Sequence, residues 1–241
     1  LSEPRGQPEE DPEIERALDE AARLVYARYQ SEIVEGLDFC PFAARAREDG
    51  AVRVTVCGEA QPTHERVLSI ADALASDGAI EIGLVLFPRV SLGRMDWHRF
   101  VAELHDLDAK TARPLSKQFA AAAFHPDAEP DLGSPARLVS FVRRTPDPTI
   151  QFVRHSVLVR MRSRDPAETK YVPPDQLEAY VRSLASRTVE ERVPLAERIA
   201  RANLDTVRTQ GVAKVAAILD DILRDRDERY APLGVAPRRP R

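Results

Sequence analysis

The sequence predicts an α/β fold: a small, largely parallel sheet flanked by helices, with additional helices toward the C-terminal end. Three observations predict it. The run "AVRVTVC" at 51–57 alternates and is rich in β-branched residues, as a half-buried strand is. "IEIGLVLFP" is a more continuous apolar run, as expected of a strand covered on both faces. Stretches with helical spacing separate these runs and lead to a third, "QFAAAAFHP". The order β-α-β-α-β implies right-handed crossovers and strands pointing the same way.

The elements follow in order. Residues 1–10 lack apolar periodicity and are expected to be a disordered tail. Asp11-Pro12 reads as an N-cap followed by proline in the first turn, and Ile14, Leu18, Ala21, Val25, Tyr29 and Ile33 continue at helical spacing toward Gly36. Pro41 can open a short second helix with Cys40 at its N-cap. Thr63 caps a helix that carries Val67, Ile70, Ala71 and Leu74 on one face. Trp97, Phe100, Val101, Leu104 and Leu107 form the stripe of the next helix. Residues 118–124 are ambiguous, because four alanines favour helix. Their short length, flanking phenylalanines and terminal His-Pro favour a strand. The segment 148–162 stays open between a helix capped by Asp147 and a strand from residue 157. Helices are expected at 173–187, 189–209 and 211–228. The chain thus divides into the tail at 1–10, an α/β core at 11–165, a C-terminal helical region at 166–230 packed on the core, and a flexible basic tail at 231–241.

Bulk properties exclude several classes. The chain has 241 residues and a formal net charge of -4, so nothing global attracts nucleic acid or an anionic membrane. No apolar run approaches the ~20 residues that cross a bilayer, and the acidic, proline-rich start does not read as a secretory signal. A cytoplasmic location is the expectation. The two cysteines form no disulfide framework and no Cys-x-x-Cys pair. The five histidines are scattered without metal-ligand spacing, and no standard phosphate-cradling loop is present, so neither a metal nor a cofactor is expected.

Several ordered stretches carry a family resemblance. These are "GLDFCPFA" at 36–43, "LVLFPRV", "AAFHPD" at 122–127, "RRTPDP" at 143–148, "FVRHS" at 152–156 and "RANLDTVRTQG". Together they resemble the bacterial domain-of-unknown-function family numbered 1415, over roughly residues 20–211. The chain departs from that pattern at four places. Phe87 stands where a His tends to precede Pro, Arg143 replaces an Asn, Asp147 replaces an aromatic, and His155 replaces a Glu. The resemblance supplies no substrate.

Four side chains are expected to surround one cleft at the carboxyl edge of the sheet. Cys40, at a helix start and near Arg45 and Arg47, has the setting of a thiolate; flanked by Phe39 and Phe42, it equally suits a buried apolar residue. His125 follows a strand directly, where sheet ligands bind, and reads as a base or as a loop-anchoring imidazole. Arg144 and Arg154 suit carboxylate or phosphate binding, whereas Arg143 reads as part of a solvated charge run. Two function classes follow. One is an enzyme acting on a small anionic metabolite with a thiol/His/Arg cleft. The other is a non-catalytic ligand-binding or scaffold protein in which Cys40 is structural. A small anionic partner is expected, with neither nucleic acid nor membrane; the oligomeric state is not legible.

Overall fold

Three strands run in one direction, as the alternating strand and helix segments require, but a fourth lies between two of them and runs the other way. The computed structural model describes residues 11–164 and 195–238. The strands are β1 (Val52–Val56), β2 (Ile82–Leu86), β3 (Phe119–Phe124) and β4 (Thr149–Arg154), in the order β1-β2-β4-β3. β1 and β2 pair in parallel, and β4 is antiparallel to both β2 and β3. The sheet is therefore mixed, which corrects the largely parallel expectation. The cause is β4 itself. Its sequence TIQFVR was not read as a strand, yet it alternates: Ile150 and Phe152 are buried on one face while Gln151 and Val153 are partly exposed. Neither alternative for 148–162 holds, because the strand ends at Arg154 and helix α6 (His155–Arg164) begins at the next residue.

Strand parity sorts the core into two halves. On one face Val85, Phe87, Ile150, Phe152 and Phe119 meet α3 (His64–Ser76) and α4 (Arg94–Asp108). Trp97 is fully buried there, edge-on to Phe87 at 4.9 Å between ring centroids. The helix α3 rides close to β2: a Cβ at Gly83 would lie 2.5 Å from Leu74 Cδ1, so a larger residue there would have to displace the end of the Leu74 side chain. On the other face Val52, Val54, Ile82, Leu84 and Leu86 meet α1 (Pro12–Tyr29), α5 (Pro135–Val142), α7 (Leu195–Gln210) and α8 (Val212–Tyr230). The short α2 (Ala43–Glu48) completes eight α-helices among the described residues. None of these is long and apolar enough to cross a membrane.

Helix starts and stops follow local chemistry. Asp11 accepts the Glu13 N–H and Thr63 the Arg66 N–H, capping α1 and α3. Ser134 caps α5 in the same way, with Pro135 in its first turn. Gly211, at φ 85°, turns the chain between α7 and α8. The helix expected at 211–228 is α8, and α7 covers the described part of 189–209. The tail at 1–10 and the helix expected at 173–187 lie outside the described residues. Residues 231–238, expected as loose tail, pack back: Val235 is buried and Arg238 Nη2 donates to Val90 O at 2.5 Å.

A buried ion pair ties α8 to the entry of β4. Asp147, 3% exposed, accepts from Arg226 Nε at 2.8 Å and from Tyr230 OH at 2.8 Å. Arg226, 1% exposed, also donates to Pro88 O at 2.8 Å. The hydroxyls of Thr145 and Thr149 both donate to the Asp147 carbonyl, at 2.7 and 2.9 Å. Breaking a buried pair from one side leaves the other charge uncompensated, at about 3–5 kcal/mol. Arg226→Met and Asp147→Asn should each lower the urea-unfolding free energy by about that amount. The double variant should lose clearly less than the sum; strict additivity would contradict the pairing.

Candidate functional site

A cavity of about 380 Å³ opens between the sheet and the helices of the α1 side. Its floor is Val52, Ile82 and Leu84, with Gln151 beside them because Gln151 pairs with Leu84 across β2 and β4. Tyr26 and Tyr29 of α1, Phe39 and Cys40 of the following loop, Val142 and Arg143 at the end of α5, and Ile199 and Asn203 of α7 form the walls, with Phe124 from β3. The surface is mostly apolar with a few convergent polar groups, the usual make-up of a small-molecule pocket.

Two motif stretches meet here. Buried Asn203 donates through Nδ2 to the carbonyl of Phe39 at 3.2 Å, so the "RANLDTVRTQG" helix pins the "GLDFCPFA" loop. Asp38, with φ 52°, turns the loop, and Phe39 N–H returns to Val34 O at 2.9 Å. Cys40 is not the N-cap of α2: that helix starts at Ala43 with Phe42 before it, and Cys40 contributes its carbonyl to a turn with Ala43 N–H at 3.1 Å. Pro41 lies in this turn, two residues ahead of the helix it was expected to open. Burial pushes the Cys40 thiol up from its ordinary pKa, and the nearby N–H groups of Phe42 and Ala43 bring it only partly back. At neutral pH the group is a thiol rather than a thiolate.

Arg143 is the one guanidinium among the described residues lining the cavity. It sits over the Phe124 ring at 5.2 Å and has no salt bridge or side-chain hydrogen bond among the described residues. By surface area it is exposed, yet crowding by protein lowers its pKa from the usual arginine value, with Tyr29 opposing that shift. Arginine stays charged under either influence.

The other expected site residues are held elsewhere. Buried His125 has Nε2 at 2.9 Å from Leu92 O, and its Nδ1 accepts the Asp127 N–H at 3.1 Å. These contacts make it an anchor of its loop, with Nε2 carrying the proton. Arg144 donates to Pro126 O and to Asp220 Oδ1, both at 2.8 Å, joining that loop to α8. Arg154 donates to the carbonyls of Leu74, Ala75, Asp77 and Ile80, at 2.6 to 3.1 Å, and closes the C-terminal end of α3. Its guanidinium lies over Phe119 at 4.8 Å. Of the four expected side chains, Cys40 alone lines the cavity among the described residues. Both arginines spend Nε and Nη2 on protein acceptors, which holds them away from the cavity. The departure at His155 also lies away from the cavity, with its ring at 2.9 Å from Ser116 O. Among the described residues no group of three or more His, Cys, Asp or Glu is placed to hold a metal ion.

Sequence reasoning missed Arg143, Gln151, Tyr29 and Asn203. Strand parity would have flagged Gln151 as a polar residue on an apolar face, had β4 been recognised.

Burial, the largest influence, holds His125 below its ordinary pKa, so the folded chain keeps it neutral. The unfolded chain takes up a proton as pH falls through about 6.5. Stability is therefore full above that value and declines as pH falls toward the lowered folded pKa. The urea midpoint should drop more steeply from pH 7 to pH 5 in wild type than in His125→Gln. Parallel declines would contradict the assignment.

No curated protein and no solved structure matches the chain. One family does, over residues 25–191, a range that begins inside α1, takes in all four strands and stops short of the 201–211 stretch that the resemblance included. The chain belongs to that family, described as Protein of unknown function (DUF1415).

Proposed function

We propose that this protein binds a small, mostly apolar molecule carrying an anionic group, in the cavity between the sheet and α1, α5 and α7. The observation that carries the reading is Arg143: a guanidinium on an apolar wall, with no carboxylate partner among the described residues. A crowded cation without a counter-charge is unfavourable unless water or a ligand anion solvates it. The surrounding tyrosines, valines, isoleucines and Phe39 suit an apolar body. Binding is favoured over thiol catalysis for two reasons. The Cys40 thiol is raised rather than lowered in pKa. His125, the base that catalysis would need, spends both ring nitrogens on its own loop.

Octanoate and 1-octanol separate the charged contribution from the apolar one in calorimetric titrations. Wild type should bind octanoate more tightly than the alcohol, and Arg143→Met should weaken octanoate by about tenfold or more, the scale of a hydrogen bond to a charged group. Its affinity for octanol should hold. Equal octanoate affinity in both proteins, or no binding of either ligand, would refute the reading.

Cys40 gives a second check. Cys40→Ser should keep octanoate affinity within about twofold, since no bond to the thiol is invoked. In the folded protein the thiol should resist iodoacetamide near neutral pH and react once urea is added. Rapid alkylation of the folded form would restore the thiolate reading.

A further inference from the structure

We infer that the ligand of this cavity is a small N-acylated amino acid, with its carboxylate on Arg143, its amide between Gln151 and Asn203, and its acyl chain along the apolar walls. This rests on the binding function proposed above and narrows its ligand class. An anion and an apolar body account for only part of the lining. Three further polar groups reach the same cavity from three different elements: the Gln151 amide of β4, the Asn203 amide of α7 and the Tyr26 hydroxyl of α1.

Each is placed by the fold. Gln151 lies opposite both Leu84 and Ala122, and residues directly opposite on antiparallel strands point to the same face, so its side chain stands on the cavity floor. That side chain has no hydrogen bond among the described residues. Asn203 is 8% exposed, and its orientation is fixed. Its Nδ2 donates to the Phe39 carbonyl, which can only accept, so Oδ1 is left as an acceptor without a partner among the described residues. Tyr26, 7% exposed, likewise has a hydroxyl without a partner there. Neither of these two oxygens is sealed in by the described residues, so the space onto which they open is the cavity that both residues line. Buried polar atoms are costly unless hydrogen-bonded, and a ligand can complete these.

The strand register also sets the spacing. Ala122, opposite Gln151, is two residues from Phe124 on the same face, which makes Gln151 and Phe124 diagonal neighbours about 7–8 Å apart. The Arg143 guanidinium lies over that Phe124 ring. Cation and amide are thus one diagonal step apart on the floor, a spacing that suits a carboxylate with a second polar group a few bonds away.

The chemistry then selects that second group. Asn203 Oδ1 requires a donor, and the Gln151 amide can supply one. The two come from opposite layers, Asn203 from the helices and Gln151 from the sheet. A trans amide presents its N–H and C=O on opposite sides, so between these layers it donates to Asn203 and accepts from Gln151. A plain fatty acid satisfies neither, and an ester offers an acceptor but no donor. The Tyr26 hydroxyl both donates and accepts, so it does not choose between ligands. A longer peptide would lay further amides against Val52, Ile82, Leu84 and Ile199, whose side chains are apolar.

The test compares three acids of equal chain length by calorimetric titration, below their micelle concentrations and at about pH 7, where carboxylates are ionised. They are N-octanoylglycine, its ester analogue O-octanoylglycolate, and undecanoate. Wild type should bind N-octanoylglycine about tenfold more tightly than either of the others, the scale of one buried polar group left unpaired. Gln151→Met should cost N-octanoylglycine about tenfold and leave undecanoate within about twofold. The comparison of ligands on the wild type decides the matter even if that variant fails to fold. If undecanoate or the ester binds as tightly as N-octanoylglycine, or if the amide preference survives in folded Gln151→Met, the amide assignment is overturned. The binding function still stands in that case, provided that Arg143→Met weakens all three acids. If none of the acids binds, or if Arg143→Met changes none of them, the binding function itself is overturned. Acetyl-Leu-Leu-Gly carries the same terminal amide and carboxylate on a peptide and should bind more weakly than N-octanoylglycine. Tighter binding would assign the site to a peptide C-terminus and overturn the small-molecule ligand.

Discussion

The turn at residues 145–148 must bring the chain out of α5 and into β4 against the direction of its two neighbours, and a buried carboxylate holds it there. Asp147 takes Arg226 and Tyr230 of α8 on its side chain and the hydroxyls of Thr145 and Thr149 on its carbonyl. Arg226 reaches on to Pro88, just beyond β2. One network therefore fixes the last long helix, the entry to β4 and the exit from β2. Such a network stabilises only when all its members are satisfied. Asp147 stands where the family resemblance gives an aromatic, and in this chain the charge is matched by a helix that begins after the family match has ended.

The position of the cavity follows from that constraint. With β4 between β2 and β3, Gln151 comes beside Leu84 on the α1 face, and Phe124 lies opposite Thr149 at the end of the sheet. The end of α5 then carries Arg143 over Phe124. A parallel sheet without β4 would have put no polar strand residue on that floor. From the other side, Asn203 of α7 holds the Phe39 carbonyl, so the wall containing Cys40 is set by a contact 164 residues away in sequence.

Much of the fold was legible because it is written locally. The alternation of 52–56, the apolar run of 82–86, the caps at Asp11 and Thr63 and the stripe through Trp97 each lie within one element. β4 was not legible, because Pro146-Asp147-Pro148 imitates a helix start when Asp147's partners are unknown. Those partners lie 79 and 83 residues away. The site was harder for the same reason. Arg143, Arg144 and Arg154 are one residue type, and what separates them is which acceptors surround each. Arg154 meets four carbonyls near the end of α3, Arg144 a carbonyl and a carboxylate, and Arg143 an aromatic face beside a cavity. Cys40 lines the cavity, but the helix start that would have made it a thiolate lies at Ala43.

The central claim is that Arg143 is the cation kept for a ligand while its neighbours serve the protein. Arginine side-chain Nε–H resonances, followed by two-dimensional nitrogen–proton NMR during an octanoate titration, test it directly. The Arg143 signal, assigned from Arg143→Lys, should shift progressively and saturate, while those of Arg144 and Arg154 stay in place. A saturating shift of Arg144 or Arg154 with Arg143 unmoved would contradict it.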